Sequence, residues 1–552
     1  MSQSIATARL PSPDRLSLAE QVAQMVVVRA SGHLFDHEIR YPAWEADSAT
    51  LTRYVEDLGV GGVILLGGSA AEVGLKTQAL QAQAQMPLLI AADVEEGVGQ
   101  RFSGATWFPP PMALSAVADR DLSTALAYAE AFGRSTAEES LAIGINWLLA
   151  PTVDVNNNPH NPVINVRAFG AEVDRVTALS QAFLRGAQTQ PVLTTAKHFP
   201  GHGDTATDSH LDLPVITHGL DRLTALELVP FRSAIAAGVD TVMTAHLHLP
   251  ALDTRYPATL SAATLTGLLR EQMGFDGLIV TDALIMGAIA NTYGPYEAAV
   301  LAVEAGADVL LMPGDPEGVI AAVVEAVNRG RLTPDRILAS VERLWRAKQK
   351  AAPAYAPDIT CHAWEHLPPP PIQLDGLAQP ATRQIAAEIL TASMTVQGQV
   401  APVAPAELAG HNLVIVDDVV DCRFLDRTAA AIAWPRQHHY HLRLIDTQGC
   451  EQWPQNVPLG PSLVQIFIRG NPFRGSAQLL HLATAWIDAL LAANLLRGVA
   501  IYGSPYALAA LQPRLVDIPH GFTYGQMPLA QDLLLSALLP NAVAAHRREF
   551  TD

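Results

Sequence analysis

The sequence predicts an α/β chain, a (β/α)₈ TIM-type barrel followed by a smaller α/β sandwich domain. Three observations carry that expectation. Eight short, near-continuously apolar runs recur up to about residue 310, each followed by a longer Ala/Leu-rich stretch with helical spacing. A proline-rich stretch then breaks the rhythm, and the same alternation resumes beyond it. At 552 residues, half of them apolar, the chain is also too long for one ordinary hydrophobic core.

The runs are "MVVVR" from 25, "GGVILL" from 61, "PLLIAAD" from 87, "INWLLAP" from 145, "PVLTTAK" from 191, "DTVMTAH" from 240, "GLIVTD" from 277 and "ADVLLMP" from 307. Continuous apolarity, without polar alternation, is what parallel strands covered on both faces need. A doubly wound open sheet is the other arrangement this pattern allows. "PDRILASVERLWRAKQK" reads as the last barrel helix, with Pro334 in its first turn and a basic end. The expected division is a barrel over 1–350, a proline-rich linker or surface strap over 351–380, and the sandwich over 381–552. In the latter, "ATRQIAAEILTASMTV" and "HLATAWIDALLAAN" read as helices, and "NLVIVDD", "LVQIFIR" and "GVAIYG" as strands.

The formal net charge of -19 argues against a nucleic-acid surface. Cys361, Cys422 and Cys450 form no CxxC spacing, so neither a disulfide framework nor a thiolate zinc site is expected. Pro11, Pro13, Asp14 and Arg15 interrupt the N-terminal segment, and no run of 18 apolar residues follows, so the reading is a cytoplasmic protein with no membrane partner. "HLH" at 246 and "HHYH" at 438 lack the spacing of a metal site, and the latter reads as a solvated loop; no metal or cofactor is expected.

In a parallel barrel the functional groups gather where strands end and βα loops begin. Strand three ends at Asp93, within "DVEEGVGQRF", which also supplies Arg101. Strand four leads to Asp154 and Arg167, strand five ends in Lys197 and His198, strand six in His246, and strand seven in Asp282. Any one of these could be a helix cap or a packing residue. Their convergence on one rim is what a stability role does not require. Asp282 is a candidate nucleophile. Arg101, Arg167, Lys197 and His198 are donors suited to a ligand studded with hydroxyls, and Asp93 could accept from a vicinal diol. A sugar fits that set.

The loop "KHFPGHGDTATDSH", 197–210, supplies a proton donor. Asp208 precedes His210 by two residues, so in an extended segment both project to one side and the carboxylate can orient the imidazole. His202 and Asp204 read as loop structure; His246 and His248 stay open, the former better suited to lining the site than to binding metal.

Taken together, "KHFPGHGDTATDSH", "TDALIMGAI", "DVEEGVGQR" and "NVRAFG" resemble glycoside hydrolase family 3, specifically its β-N-acetylglucosaminidase (β-N-acetylhexosaminidase) branch. The resemblance implies that Asp282 is the nucleophile, His210 the general acid/base and Asp208 its partner, with Asp93, Arg101, Arg167, Lys197 and His198 around the innermost sugar. One departure stands out: Glu96 occupies a place where the family pattern has glycine. A retaining, exo-acting enzyme releasing terminal β-linked GlcNAc from peptidoglycan fragments or chitooligosaccharides is the expected function. A phosphorylase, favoured by a neutral imidazole that does not repel phosphate, and a β-glucosidase of the same family are its alternatives. More distant are a Schiff-base lyase built on Lys197 and a non-catalytic sugar-binding protein. No motif speaks to the aglycon or the oligomeric state.

Overall fold

The computed structural model describes residues 10–206, 209, 212–351, 371–401, 403, 410–448, 460–469 and 477–539. The chain packs as two compact units, one of residues 1–108, 123–158 and 168–383, the other of 109–122, 159–167 and 384–552.

The first unit is a (β/α)₈ barrel. Its strands are β1 (Val26–Ser31), β2 (Gly62–Leu66), β3 (Leu89–Ala92), β4 (Trp147–Leu148), β5 (Thr195–Phe199), β6 (Thr241–Thr244), β7 (Leu278–Val280) and β8 (Leu310–Leu311). All eight coincide with the apolar runs, β1 and β5 continuing two residues past theirs, and every pairing is parallel. One sheet runs β4-β3-β2-β1-β8 and another β5-β6-β7. Bridges Trp147 to Leu193 and Thr152 to Lys197 join β4 to β5, and Val280 to Val309 joins β7 to β8, so the circle closes. Pro151 shortens β4, because it carries no N–H for the ladder.

Strand side chains such as Val26, Val63, Ile90, Val242 and Ile279 are inaccessible to solvent. Each such residue contributes about 1.5–3 kcal/mol relative to exposure. Local signals start the covering helices. Ser17 with Glu20 and Ser69 with Glu72 form reciprocal capping boxes, and Asp315 caps a helix whose first residue is Pro316.

Below the strands, at the N-terminal end of β8, Asp308 is wholly buried. Its carboxylate takes Arg270 Nη2 at 2.6 Å, Ser340 Oγ at 2.6 Å and the backbone N–H of Ile279 at 3.0 Å. Arg343 Nη1 lies 3.3 Å away. The helix Pro334–Ala351 is thereby tied to the barrel floor. Lys348 on the same helix is also fully buried, donating to Gln24 Oε1 at 2.6 Å.

The second unit is a six-stranded sheet in the order β11-β10-β12-β13-β14-β9. Here β9 is Thr395–Gln397, β10 Gly410–Val416, β11 Tyr440–Asp446, β12 Ser462–Ile468, β13 Leu496–Gly503 and β14 His520–Thr523. Only β9 is antiparallel. Val414, Leu463, Phe467, Trp434, Tyr502 and Leu534 form its core. Through it runs a polar chain, Tyr502 hydroxyl to Gln465 Oε1 at 2.9 Å and Gln465 Nε2 to Asn412 Oδ1 at 2.7 Å. The "HHYH" segment is not a solvated loop throughout. His438 is buried, His439 turns the chain at φ 64°, and Tyr440 opens β11. Among the described residues, no helix is long and apolar enough to cross a membrane.

Candidate active site

The rim at the C-terminal ends of the barrel strands gathers the ionisable groups. Asp93 follows β3 directly, and the next turn brings Arg101 back so that its Nε donates to the Asp93 carbonyl at 2.9 Å. Lys197, on β5 and 1% exposed, points its Nζ between Asp93 Oδ1 at 2.7 Å and Glu95 Oε1 at 2.6 Å. An ammonium clasped by two carboxylates is a hydrogen-bond donor, unlike the free amine a Schiff base needs. Burial works to raise the Asp93 carboxyl, but Lys197 and Arg101 outweigh it and hold it below its ordinary value.

The second cluster is built on Asp154, which lies in the loop after β4 and is 1% exposed. Its Oδ2 meets His198 Nδ1 at 2.8 Å and accepts the His198 backbone N–H at 3.2 Å. Its Oδ1 accepts the His202 backbone N–H at 2.6 Å. Burial opposes ionisation of Asp154, yet the neighbouring histidines and these hydrogen bonds keep its pKa below the ordinary value.

Asp282 stands two residues past β7, half-buried, with Oδ1 accepting the N–H of Ala283 at 2.8 Å. Below it, His246 is fully buried: Nδ1 meets Thr259 Oγ1 at 2.8 Å and Nε2 meets the Ala283 carbonyl at 3.0 Å. A ring holding the turn beside Asp282 in this way supports the site and is not presented to a metal. Asp204 accepts from His218 Nε2 at 2.8 Å, with Arg222 at 3.5 Å, which fixes the outer side of the loop after β5. Among the described residues, two groups could in principle crowd a cation, His33/Glu38/Glu72 and Asp204/His218/Glu227. In the latter Arg222 already supplies the positive charge to both acids, and Glu72 in the former is committed to a helix cap.

The chain matches the glycosyl hydrolase family 3 N-terminal domain over residues 17–347 and the bacterial glycosyl hydrolase family 3 C-terminal domain over 405–540. It belongs to glycosyl hydrolase family 3. Over 376 residues it is 32% identical to beta-hexosaminidase A of Pseudoalteromonas piscicida, covering 62% of this chain and 60% of that one. Over 386 residues it is 31% identical to the beta-N-acetylglucosaminidase/beta-glucosidase of Cellulomonas fimi, covering 68% and 66%. The matches thus span 60% and 66% of the length of these two curated relatives, less than two thirds of each. The solved structure of a glycoside hydrolase family 3 beta-N-acetylglucosaminidase from Paenibacillus sp. str. FPU-7 shares 31% identity at a TM-score of 0.74, covering 94% of this chain and 96% of that one.

Of the family 3 site residues expected from the sequence, Asp93, Arg101, Lys197, His198 and Asp282 all lie at strand ends or the loops that follow, in the barrel unit. Arg167 ends the short 3₁₀ helix Asn165–Arg167, packs with the second unit, and donates from Nη1 to the Val163 carbonyl at 3.1 Å. Asp208 and His210 lie outside the described residues. Glu95 was not anticipated, and Asp154 was placed on the rim without an assigned role. Glu95 shares Lys197, and Asp154 organises both histidines. The sequence signal for Glu95 was its i, i+2 spacing from Asp93 at a strand end. At the departure from the family pattern, Glu96 is buried and its Oε2 accepts the Trp107 indole N–H at 2.9 Å.

Proposed function

We propose that this chain is a retaining, exo-acting β-N-acetylglucosaminidase that releases terminal β-linked GlcNAc from peptidoglycan fragments or chitooligosaccharides. The observation carrying this reading is the rim of donors and acceptors in which Lys197 and His198 are each fixed by buried or half-buried carboxylates, with Asp282 on the same rim. The names borne by the relatives favour GlcNAc over glucose, although the Cellulomonas fimi protein carries both activities in its name.

In this reading Asp282 attacks the anomeric carbon while His210, oriented by Asp208, protonates the departing oxygen. Water, deprotonated by His210, then opens the glycosyl-enzyme with net retention. Lys197, His198, Asp93, Arg101 and Arg167 hold the sugar hydroxyls, and these contacts tighten as the ring flattens. Residues 1–350 carry the chemistry as the catalytic domain, and 381–552, beyond the segment 351–380, play a supporting role.

The test is hydrolysis of p-nitrophenyl β-GlcNAc and β-glucose by wild type, Asp282→Ala and His210→Ala, with and without phosphate. The reading requires a preference for GlcNAc and loss of turnover in Asp282→Ala. Normal activity in that variant would remove it. Sugar 1-phosphate as the main product in phosphate buffer would replace hydrolysis by phosphorolysis.

A further inference from the structure

Arg29, on β1, shares a strand face with the candidate site in both directions around the barrel. It pairs with Ile64 on β2, and Ile64 with Ala91 on β3, two residues before Asp93. The other way, Val27 pairs with Leu311 on β8, and Val309 bridges Val280 on β7, two residues before Asp282. Residues two apart face the same way, and Asp93 meets Lys197 of β5 across the intervening β4, so this face is the barrel interior.

The loop after β1 returns to cover Arg29. Ala46 bridges Ala30 in parallel, its N–H donating to the Arg29 carbonyl at 3.3 Å. Because β2 holds one edge of β1 as far as Ser31 while β8 leaves the other after Val27, Ala46 takes the place above β8, on the side of β1 that faces β7 and Asp282. The buried Glu45 accepts from Arg29 Nη2 at 2.8 Å and Nε at 3.2 Å. Against this ion pair stand Tyr41 and Trp44, ring centroids 5.7 Å apart with 16° between their planes, and the guanidinium carbon lies 5.2 Å and 5.6 Å from the two centroids. Their inner side is thus fixed, yet Tyr41 stays 40% and Trp44 37% exposed.

We infer that Tyr41 and Trp44 form a stacking platform for the leaving group: they take the β-linked pyranose ring beyond the terminal GlcNAc. The inference rests on the proposed function and adds to it a preference for oligosaccharides over simple glycosides. A β-1,4-linked GlcNAc ring carries its polar substituents around its edge and C–H bonds on both faces, so an aromatic ring can cover a face while the hydroxyls stay in water. Two nearly parallel rings already held by Arg29 lose little freedom on binding. Their place at the barrel mouth, above the strand next to β7, selects a sugar over a protein surface as the occupant.

The test compares kcat/KM on methyl β-GlcNAc, which has no second ring, with chitobiose and chitotriose. In wild type kcat/KM should rise along the series. Tyr41→Ala and Trp44→Ala should each lose about 10-fold on the oligosaccharides, chiefly through KM, and far less on methyl β-GlcNAc. Trp44→Phe, which keeps a flat ring, should recover much of the loss. Tyr41→Leu and Trp44→Leu, with bulk but no flat ring, carry the test if the alanine variants do not fold. GlcNAc-β-1,4-N-acetylmuramic acid, run beside chitobiose, distinguishes the two sources of such a ring, and a ring-dependent loss on either supports the platform. A series that rises equally in wild type and the double alanine variant, or an equal loss on every substrate, would overturn this inference alone. Failure of wild type to hydrolyse any of these GlcNAc compounds would overturn the proposed function and this inference with it.

Discussion

Asp154 holds His198 twice, through the ring at 2.8 Å and through the backbone nitrogen at 3.2 Å, both on the same carboxylate oxygen. The other oxygen is occupied by His202. Replacement by Ala would leave three polar groups without their acceptor in a buried setting. We expect Asp154→Ala to cost about 3–5 kcal/mol of stability. Because the native pKa of Asp154 is depressed, its stabilisation is complete above the unfolded-state value and disappears as pH falls through the folded-state value. Acid unfolding followed by circular dichroism should therefore be shallower in Asp154→Asn than in wild type. Parallel profiles would show that Asp154 is not linked to acid stability.

Glu95 is buried against Lys197, so its removal should act through the lysine. Glu95→Gln is expected to lower kcat/KM on a GlcNAc glycoside by about 10–100-fold, since a misplaced binding group costs on this order. Lys197→Met should lose more. Steady-state kinetics decides it, and equal activities for wild type and Glu95→Gln would show that Lys197 does not depend on Glu95.

Asp308 makes the contrasting case, a buried carboxylate at the end of the barrel opposite the rim. Urea unfolding should show Asp308→Ala destabilised by about 3–5 kcal/mol, while kcat and KM of the folded fraction stay unchanged. A change in kcat would mean that the floor and the rim are coupled.

Lys348 gives a pH signature of the same sign as Asp154, but in an alkaline window. Burial lowers its pKa to about 7, whereas the unfolded chain holds the proton up to the ordinary lysine value. Between those limits the unfolded state binds more protons, so stability rises with pH across the window from about 7 to about 10. Relative to Lys348→Met, wild type should gain on the order of several kcal/mol over that window in denaturant titrations. Identical pH slopes for the two proteins would refute the shifted value.

The barrel was legible because its strands are apolar on both faces, and a continuous run such as "GGVILL" announces itself without knowledge of its partners. The short strands of the second unit were harder. Tyr440–Asp446 alternates apolar and polar side chains behind two histidines, and Thr395–Gln397 is exposed throughout. The rim residues Asp93, Lys197 and Asp282 could be named because each ends an apolar run of the sequence. The organising role of Asp154 could not, since it sits in an irregular loop and earns its position only when the curved sheet brings residues 154, 198 and 202 together. His202 read as loop structure for the same reason: its partners, Thr205 and Ser209, are bonds of a folded turn and not of a periodic element.

The barrel's circle has a discontinuity between β4 and β5, where the ladder thins to isolated bridges around Pro151. Lys197 to Asp93 and His198 to Asp154 both cross it, joining the three-stranded sheet to the five-stranded one. Under the proposed function, sugar recognition and barrel closure draw on the same side chains. A bound saccharide that tightens those pairs also holds the wall shut, so slower amide exchange should extend along β4 and β5, well beyond the residues in contact with the ligand.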